Sequence, residues 1–259
     1  MIVLVTGASS GIGRALVLHY LSRGHTVAAL ARRGERLAAL AEEAAFLPGK
    51  LSTSIADVTD KAAMEAIVAR IEQEFGPIML AIANAGIAKE QEGPDLDLEQ
   101  LRRMLEVNLI GAANMLAPVT ARMRSRKVGQ VVALSSLSAI QNLPLLTAYG
   151  VSKAAVNALM EGLYWQLRPC GVAVTTICPG FVRSEMTEGR VAQRWCMPLD
   201  RAVARIVRAI ERRDRLCCFP VWARLGLGCL RLLPGALSVP LLMGSASAMR
   251  EPPTRPLPF

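Results

Sequence analysis

The stretch IVLVTGASSGIGRAL, residues 2–16, decides the fold. It begins with a strand-like run, Ile2–Thr6, places Gly7, Gly11 and Gly13 in a turn, and continues as a helix-forming segment. Glycine permits a tight turn and lets a ligand approach bare backbone, and a helix N-terminus offers free N–H groups to an anion. The spacing is G-x-x-x-G-x-G, which differs from the common dinucleotide fingerprint G-x-G-x-x-G. The stretch predicts a β–α unit that binds a pyrophosphate at its turn.

Strand-like apolar runs alternate with segments of helical periodicity along most of the chain. The predicted strands are Ile2–Thr6, Thr26–Ala31, Leu51–Asp57, Ile78–Ala83, Gln130–Ser135, Val172–Cys178 and Leu216–Val221. The predicted helices include Gly13–Arg23, Lys61–Phe75, Leu98–Arg126, Ala148–Leu167 and Asp200–Arg213. This alternation indicates βαβ units in a mostly parallel, seven-stranded α/β sheet, and continuous apolar strands indicate helices on both faces. Ligands of such sheets bind beyond the carboxyl ends of the strands.

Length and composition favour one domain. The chain has 259 residues, of which 52% are hydrophobic, enough for a large core. We expect a single domain over residues 1–259, with a cofactor and catalytic core in 1–185 and substrate-binding elements in 186–259. The six cysteines show no metal-ligand spacing, and the apolar N-terminal run is too short for a secretory signal. We therefore predict no metal site, reduced thiols and a cytoplasmic location.

The net charge of +9 suggests a phosphorylated ligand, a membrane surface or nucleic acid. The basic residues are spread through the chain, and aromatic residues make up only 4% of it. Stacking on bases therefore has little support, and nucleic-acid binding is not expected. The proline-rich residues 251–259 are predicted to be disordered or loosely docked.

Two arginines follow the second strand, in ALARRGERL (29–37). An acidic residue here would accept hydrogen bonds from an adenosine ribose. Arg32 and Arg33 instead offer guanidinium groups, which bind phosphate oxygens well. We therefore expect a 2′-phosphate, and so NADP(H) in preference to NAD(H). The alternative is that both arginines are solvated loop residues.

Polar residues stand near the ends of the later strands. They are Asn84, Ala85 and Gly86 after the fourth strand, Ser136 after the fifth, and Pro179 and Gly180 after the sixth. Asn108 lies among apolar neighbours in a helical segment, where a buried amide needs hydrogen-bond partners. Tyr149 and Lys153 lie four residues apart at the front of the next helix, so their polar ends can share one site.

Together these motifs resemble the classical short-chain dehydrogenase/reductase family along nearly the whole chain. The motifs are TGASSGIG (6–13), NAG (84–86), the asparagine of VNLIG (107–111), the SS pair ending at Ser136, YGVSK (149–153) and PG (179–180). The resemblance implies a Rossmann-type, doubly wound fold and NAD(P)-dependent oxidoreduction of an alcohol or a carbonyl. It also implies a catalytic tetrad of Asn108, Ser136, Tyr149 and Lys153.

Physical chemistry agrees with this tetrad. Hydride transfer to a ketone leaves an alkoxide that needs a proton, and a free tyrosine, with a pKa of ~10, exchanges protons poorly at neutrality. An ammonium favours the phenolate, so Lys153 is expected to lower the pKa of Tyr149 and to hydrogen-bond the nicotinamide ribose. Ser136 would hold and polarise the carbonyl oxygen. Asn108 would keep a water in the proton path from Lys153 to solvent.

The resemblance implies a wider set of cofactor contacts. The predicted cofactor-binding residues are Gly7, Ser9, Ser10, Gly11, Ile12, Gly13, Arg32, Arg33, Asp57, Val58, Asn84, Ala85, Gly86, Tyr149, Lys153, Pro179, Gly180, Val182 and Ser184. Ser9 is a candidate phosphate ligand, and Asp57 and Val58 match the family's adenine contacts. Ser184 stands where the family contacts the nicotinamide carboxamide. Asp57, which is followed by Val-Thr-Asp, could also be only a helix cap.

The region after residue 185 is expected to shape the substrate pocket. Its first feature is a series of arginines at helical spacing, Arg201, Arg205, Arg208, Arg212 and Arg215. They predict a basic stripe opposite an apolar helix face, most simply a solvated surface.

Residues 216–244 are unusually apolar. The run is interrupted by Arg224 and Arg231 and by the helix breakers Pro220, Pro234 and Pro240. A membrane-spanning helix is therefore not expected. Three interpretations remain, of which the first two are preferred: a subunit interface, a cover over a lipophilic substrate pocket, and a peripheral membrane anchor. The apolar character favours a lipophilic ketone or aldehyde as substrate.

Other functions compete with that of a carbonyl reductase. A non-catalytic NADP-binding redox sensor would use the same sheet, but such proteins usually lose the tyrosine or the lysine, and this chain has both Tyr149 and Lys153. A membrane-surface scaffold, or a membrane-associated lipid keto-reductase, would use residues 216–244. A homo-oligomer, dimer or tetramer, is the default assembly.

Overall fold

The computed structural model describes residues 1–90, 95–144, 146–189 and 191–249. The strands in these ranges are β1 (Ile2–Thr6), β2 (Thr26–Ala31), β3 (Lys50–Ile55), β4 (Ile78–Ala83), β5 (Gly129–Leu134), β6 (Val172–Pro179) and β7 (Leu216–Phe219). They form one seven-stranded sheet in the order β3-β2-β1-β4-β5-β6-β7, and every neighbouring pair is parallel. The predicted α/β sheet is confirmed, and it is parallel throughout.

Helices cover both faces of the sheet. The α-helices in the described ranges are α1 (Gly11–Ser22), α2 (Gly34–Ala44), α3 (Lys61–Phe75), α4 (Leu98–Leu105), α5 (Gly111–Arg126), α6 (Thr147–Leu167), α7 (Leu199–Glu211), α8 (Val221–Leu232) and α9 (Gly235–Met249). Helices α1, α2 and α7 pack on one face, and α3, α5 and α6 pack on the other. The central strand β1 is therefore buried along its whole length. The chain crosses from β2 and β3 on one side of β1 to β4 on the other, which places a crevice at their carboxyl ends.

Strand β3 differs from the expectation that every strand is a continuous apolar run. Its sequence, KLSTSI, is largely polar, and no residue in it is fully buried. The side chain of Ile55 is 71% exposed. The expectation is wrong for β3 because this strand lies at the edge of the sheet and has one neighbour, β2.

The predicted helix Leu98–Arg126 is interrupted in its middle. Helix α4 ends at Leu105, a π-helical turn spans Glu106–Ile110, and α5 follows. The run is long and apolar enough to cross a membrane by length and composition. Half of its most apolar window is buried in this fold, as expected of a core helix. π turns occur frequently at functional sites, and this one contains Asn108, so it is consistent with a functional role for that residue.

Helix α7 confirms the basic stripe over its own length. Arg201, Arg205 and Arg208 are exposed, opposite a buried apolar face. Arg215 lies beyond the helix and leaves the stripe. Its guanidinium pairs with Glu161 at 2.5 Å and lies 4.8 Å from the centre of the Tyr164 ring.

The apolar residues 216–244 form β7, α8 and most of α9. Pro220 and Pro234 precede the two helices, as helix breakers should. Pro240 lies inside α9, so the prediction that it breaks the helix is wrong; a proline removes one backbone donor, and a helix can continue past it. The predicted disorder of residues 251–259 lies outside the described residues.

Candidate active site

The turn between β1 and α1 requires glycine at two positions. Gly7 has a φ of +66°, and a Cβ atom on it would lie 2.8 Å from the Cα of Ala85. A Cβ atom on Gly13 would lie 2.3 Å from the carbonyl oxygen of Gly7. A side chain at either position would force the turn away from β4 or from its own helix. The turn is therefore a bare backbone surface at the crevice between β1 and β4.

Helix α1 begins at this surface. Its N-cap residue is Ser10, whose side chain makes no capping hydrogen bond to the helix. The N–H groups of the first turn and the positive end of the helix dipole are therefore available to an anion. Ile12 packs its side chain on the core below, so it can offer only backbone to a ligand. Bare glycine backbone and an uncapped helix start fit the pyrophosphate of a dinucleotide.

Asn84 and Thr6 hold the turn against the end of β4. The Thr6 hydroxyl oxygen accepts hydrogen bonds from the backbone N–H groups of Asn84 (3.1 Å) and Ala85 (3.2 Å). The Asn84 side-chain amide donates to the carbonyl oxygens of Thr6 (3.0 Å) and Gly7 (3.1 Å). Thr6 was not among the predicted site residues, although its place at the end of β1, where the TGASSGIG motif begins, was a signal for it.

The two predicted phosphate-binding arginines separate in the structure. Arg33 donates to the hydroxyl oxygens of Ser9 (3.0 Å) and Ser10 (2.7 Å) and so lies over the glycine turn. Arg32 turns the other way and pairs with Asp57 at 3.4 Å. The second guanidinium group beside Arg33 is that of Arg36, in the first turn of α2. A groove of about 290 Å³ lies here, lined by Ser9, Ser10, Gly11, Arg14, Arg36, Ala39 and Glu185.

Asp57 is not the cap of the following helix. It accepts hydrogen bonds from the backbone N–H (3.0 Å) and the hydroxyl (2.9 Å) of Thr59, and α3 is capped by Asp60. The backbone hydrogen bond from Thr59 is the largest cause that lowers the pKa of Asp57, and Arg32 lowers it further. Val58 is buried beside Gly111, where a Cβ atom would meet it at 2.4 Å.

Ser136, Tyr149 and Lys153 come together at the carboxyl end of β5. Ser136 follows that strand, and a backbone N–H from Ser138 fixes its Oγ at 3.1 Å. Tyr149 lies in the first turn of α6, and its hydroxyl is hydrogen-bonded to Ser136. Lys153 is one turn further along, buried, with its Nζ 5.8 Å from the centre of the Tyr149 ring. That ammonium donates to the carbonyl oxygen of Leu134 at 2.8 Å.

Burial is the largest influence on the pKa values of Tyr149 and Lys153. It raises the pKa of Tyr149 to about 12, although the hydrogen bond to Ser136 acts in the opposite direction. It lowers the pKa of Lys153 to about 8. The expected net fall in the pKa of Tyr149 is therefore wrong for this structure, because loss of hydration disfavours the charged forms of both groups. Near neutral pH the pair is a protonated phenol beside an ammonium.

Asn108 is buried in the π turn, with a side chain 1% exposed. Its Oδ1 accepts from the backbone N–H of Ile87 (2.7 Å), and its Nδ2 donates to the Ile87 carbonyl (3.0 Å) and to the Ser152 hydroxyl (2.9 Å). It thus ties the loop after β4 to α6. A Cβ atom on Gly86 would lie 3.1 Å from Asn108 Oδ1 and 3.4 Å from Lys153 Nζ. The glycine therefore leaves one small space that both polar groups border.

The loop after β6 approaches the glycine turn. The N–H of Gly180 donates to the carbonyl of Phe219 at 2.7 Å, just after Pro179 ends the strand. Val182 is buried and bridges to Met197. A Cβ atom on Gly11 would lie 3.4 Å from the Cβ of Ser184, so Ser184 lies beside the glycine turn. Its neighbour Glu185, which was not predicted, reaches across to α2.

A glycine turn at the switch point of a parallel sheet, beside a hydroxyl pair and a buried ammonium, defines a nicotinamide-dependent oxidoreductase that acts on a C–O centre. Its cradle fits the dinucleotide, and its hydroxyl groups fit a carbonyl oxygen.

Comparison with known proteins supports the same class of enzyme. Residues 1–195 match the short chain dehydrogenase family. An uncharacterized oxidoreductase of Myxococcus xanthus is 36% identical over 235 residues, covering 90% of this chain and 93% of that protein. The 3-oxoacyl-[acyl-carrier-protein] reductase FabG of Thermotoga maritima is 33% identical over 187 residues, covering 72% of this chain and 76% of that protein. A short-chain dehydrogenase from Sphingobium yanoikuyae, solved in complex with NADPH, is 26% identical with a TM-score of 0.75, covering 100% of this chain and 99% of that chain.

The chain belongs to the short-chain dehydrogenase/reductase family and is an NAD(P)-dependent oxidoreductase that acts on CH–OH or C=O groups.

Proposed function

We propose that this enzyme uses NADP(H) to interconvert a lipophilic ketone or aldehyde and its alcohol. The observation that supports the reaction most strongly is the meeting of Ser136, Tyr149 and Lys153 beside the glycine turn. A redox sensor needs dinucleotide binding but has no use for a hydrogen-bonded hydroxyl pair next to a buried ammonium. The catalytic function is therefore favoured over the sensor.

In the proposed mechanism, a bound nicotinamide supplies or accepts the hydride, and the chain supplies orientation and the proton. The Ser138 N–H holds Ser136 Oγ in place, and the Ser136 hydroxyl would turn from Tyr149 to a carbonyl oxygen when a substrate binds. Tyr149 is protonated at neutral pH and gives its proton to the same oxygen as negative charge develops there.

Lys153 acts on the phenolate that Tyr149 becomes. Its ammonium stabilises the negative charge left on the phenol oxygen, and the Leu134 carbonyl keeps the lysine in place. The space beside Gly86 lies between Lys153 Nζ and Asn108 Oδ1 and suits one bridging water, which would pass the proton back from solvent.

The NADP(H) preference rests on the cation cluster beside the glycine turn. Arg33 and Arg36 both contact one carboxylate, that of Glu185, so the cluster already holds an anion in the structure. The adjoining groove lies against the turn, where the adenosine half of the cofactor is expected. The NADPH complex of the Sphingobium relative supports the same choice.

The substrate class rests on the apolar surroundings of Ser136. The turn that follows it, Leu137–Ala139, contributes Leu137 to a buried cluster against which Ala223 and Leu227 of α8 pack. One related protein is named as a reductase of 3-oxoacyl chains on acyl-carrier protein. Both points favour a substrate with an apolar chain.

We also propose that α8 and α9 attach the otherwise cytoplasmic enzyme to an anionic membrane surface. Large apolar side chains of α9, among them Leu237, Val239 and Leu241, are exposed and therefore available to the apolar part of a membrane surface. The helices have 12 and 15 residues, too short to span a bilayer, so they would lie in its interface. Residues 216–249 contain arginine but no acidic residue, which suits anionic lipids.

The experiment that tests the function is a screen of NADPH and NADH oxidation over ketones and aldehydes of increasing chain length. We expect turnover with NADPH, slower turnover with NADH at equal concentration, and kcat/KM rising with apolar chain length. Activity confined to small polar sugars would exclude the substrate class, and equal use of both cofactors would exclude the preference.

A further inference from the structure

Glu185 bridges two parts of the molecule that otherwise only face each other. It lies on the loop after β6, and its carboxylate contacts two arginines at the start of α2. One oxygen lies 3.1 Å from Nη1 of Arg33, and the other pairs with Arg36. The bridge spans from residue 185 to residues 33 and 36, across the outer side of the glycine turn.

The anchor point of this bridge is the proposed phosphate site. The Arg33 guanidinium that holds Glu185 also donates to the hydroxyl oxygens of Ser9 and Ser10. The groove lined by the turn and by Arg36 has Glu185 as part of its wall. A carboxylate and a phosphate monoester need the same donors, since both take planar guanidinium forks through two oxygens.

The loop that carries Glu185 is tied together by its own hydrogen bonds. The Thr187 hydroxyl accepts from the Ser184 N–H (3.1 Å) and donates to the Val182 carbonyl (2.8 Å). This places Ser184, the predicted nicotinamide contact, and Glu185 on one internally hydrogen-bonded turn. A movement of the Glu185 carboxylate would therefore displace Ser184 as well.

We propose that Glu185 is a specificity-determining latch: it occupies the arginine cluster when no 2′-phosphate is present, and the 2′-phosphate of NADP(H) displaces it and releases the loop. The inference rests on the proposed NADP(H) preference. NAD(H) has the same pyrophosphate but brings no 2′-phosphate to this cluster, and it leaves the latch closed. The latch opens because a dianionic phosphate attracts two guanidinium groups more strongly than one carboxylate does.

The latch predicts opposite effects for the two ends of the bridge. Glu185→Gln removes the competing charge and should tighten NADP⁺ binding about three- to tenfold, a range consistent with one carboxylate on two exposed arginines. Binding of NAD⁺ should change less than twofold. Arg33→Ala removes the phosphate site itself and should weaken NADP⁺ binding and leave NAD⁺ binding nearly unchanged.

Calorimetric titration with NADP⁺, NAD⁺, 2′,5′-ADP and 5′-AMP tests these effects without turnover. Glu188→Gln is the matched control, because it removes the same charge from the same exposed loop. We expect the gain in Glu185→Gln for the two 2′-phosphorylated ligands and for neither of the others. Amide hydrogen exchange over residues 182–189 should speed up when 2′,5′-ADP binds to the wild type and should already be fast in Glu185→Gln.

The outcomes separate the latch from the function on which it rests. If Arg33→Ala loses NADP⁺ selectively but Glu185→Gln binds every ligand as the wild type does, the latch is wrong and the cofactor preference stands. If the wild type binds NAD⁺ and NADP⁺ equally and Arg33→Ala changes neither, the preference and the latch both fail. If Glu188→Gln gains as much affinity for the 2′-phosphorylated ligands as Glu185→Gln does, net charge alone explains the gain, and the latch is contradicted.

Discussion

At the scale of single residues, the chemistry depends on burial. The Tyr149 hydroxyl and the Lys153 ammonium are both held away from water, and each pKa moves toward the neutral form. The spacing of the two residues predicted their common face, but it contained no information on their hydration. That is why the sequence located the pair correctly and predicted the wrong direction for the pKa of the phenol.

The pKa of Lys153 sets an alkaline limit. Because it lies at about 8, the ammonium is lost as the pH rises through this value, while Tyr149 stays protonated up to about 12. We expect kcat/KM for carbonyl reduction to fall above a pH of about 8. In Lys153→Arg, whose guanidinium stays charged, the residual activity should show no such fall. Steady-state rates between pH 6 and pH 10 measure both profiles, and a flat wild-type profile would contradict the role of the ammonium.

The sequence pattern was also only partly informative about the arginines after β2. The pattern predicted a phosphate site from Arg32 and Arg33, and only Arg33 faces the glycine turn, while Arg32 pairs with Asp57. Glu185 lies 152 residues from Arg33 in sequence, so no local pattern could join them. Contacts between distant residues follow from the fold and not from spacing.

At the scale of elements, the strongly periodic segments were predictable and their irregularities were not. The bounds of β1, β2, β4 and α3 agree with the prediction, because buried strands and a capped amphipathic helix leave a clear pattern. The π turn around Asn108 was missed, since one extra residue in a helix does not disturb a run of apolar side chains. The edge position of β3 was also missed, because it depends on the order of strands.

The π turn supports a prediction about stability. Asn108→Ala removes three hydrogen bonds of a buried side chain and leaves the half-buried backbone of Ile87 without these partners. We expect the free energy of unfolding to fall by about 2–4 kcal/mol. Asn114→Ala, in the next helix, breaks hydrogen bonds to Val58 and Thr59 at a half-buried position and should cost about 1 kcal/mol. Urea unfolding measures both, and equal losses would contradict a special role for the π turn.

At the scale of the whole molecule, the distribution of polarity is uneven. The sheet and its two helical layers bury a large core, whereas α8 and α9 leave large apolar side chains in contact with solvent, among them Trp222 (68% exposed) and Leu232 (86% exposed). Composition predicted this apolar segment, but could not say which of its sides the core would cover. The inner side of α8 does pack on the core, through Ala223 and Leu227.

Membrane attachment is tested by sedimentation with vesicles. We expect the protein to bind vesicles of phosphatidylcholine with phosphatidylglycerol more strongly than phosphatidylcholine alone, and Leu237→Asp with Leu241→Asp to abolish binding. Ile55→Asp, at an exposed apolar position on the far edge of the sheet, is the control and should bind as the wild type does. If the wild type forms a stable dimer in light scattering and does not bind vesicles, a second copy of the chain covers these helices and the membrane proposal is wrong.

The central claim is that Tyr149 gives the proton at the reacting oxygen. The most direct measurement compares wild type with Tyr149→Phe, in NADPH oxidation with the best carbonyl substrate and in NADPH titration. Tyr164→Phe, on the same helix, is the control. We predict that Tyr149→Phe loses about 10²–10⁴-fold in kcat while its affinity for NADPH stays within about twofold. Turnover within tenfold of wild type in Tyr149→Phe would contradict the account.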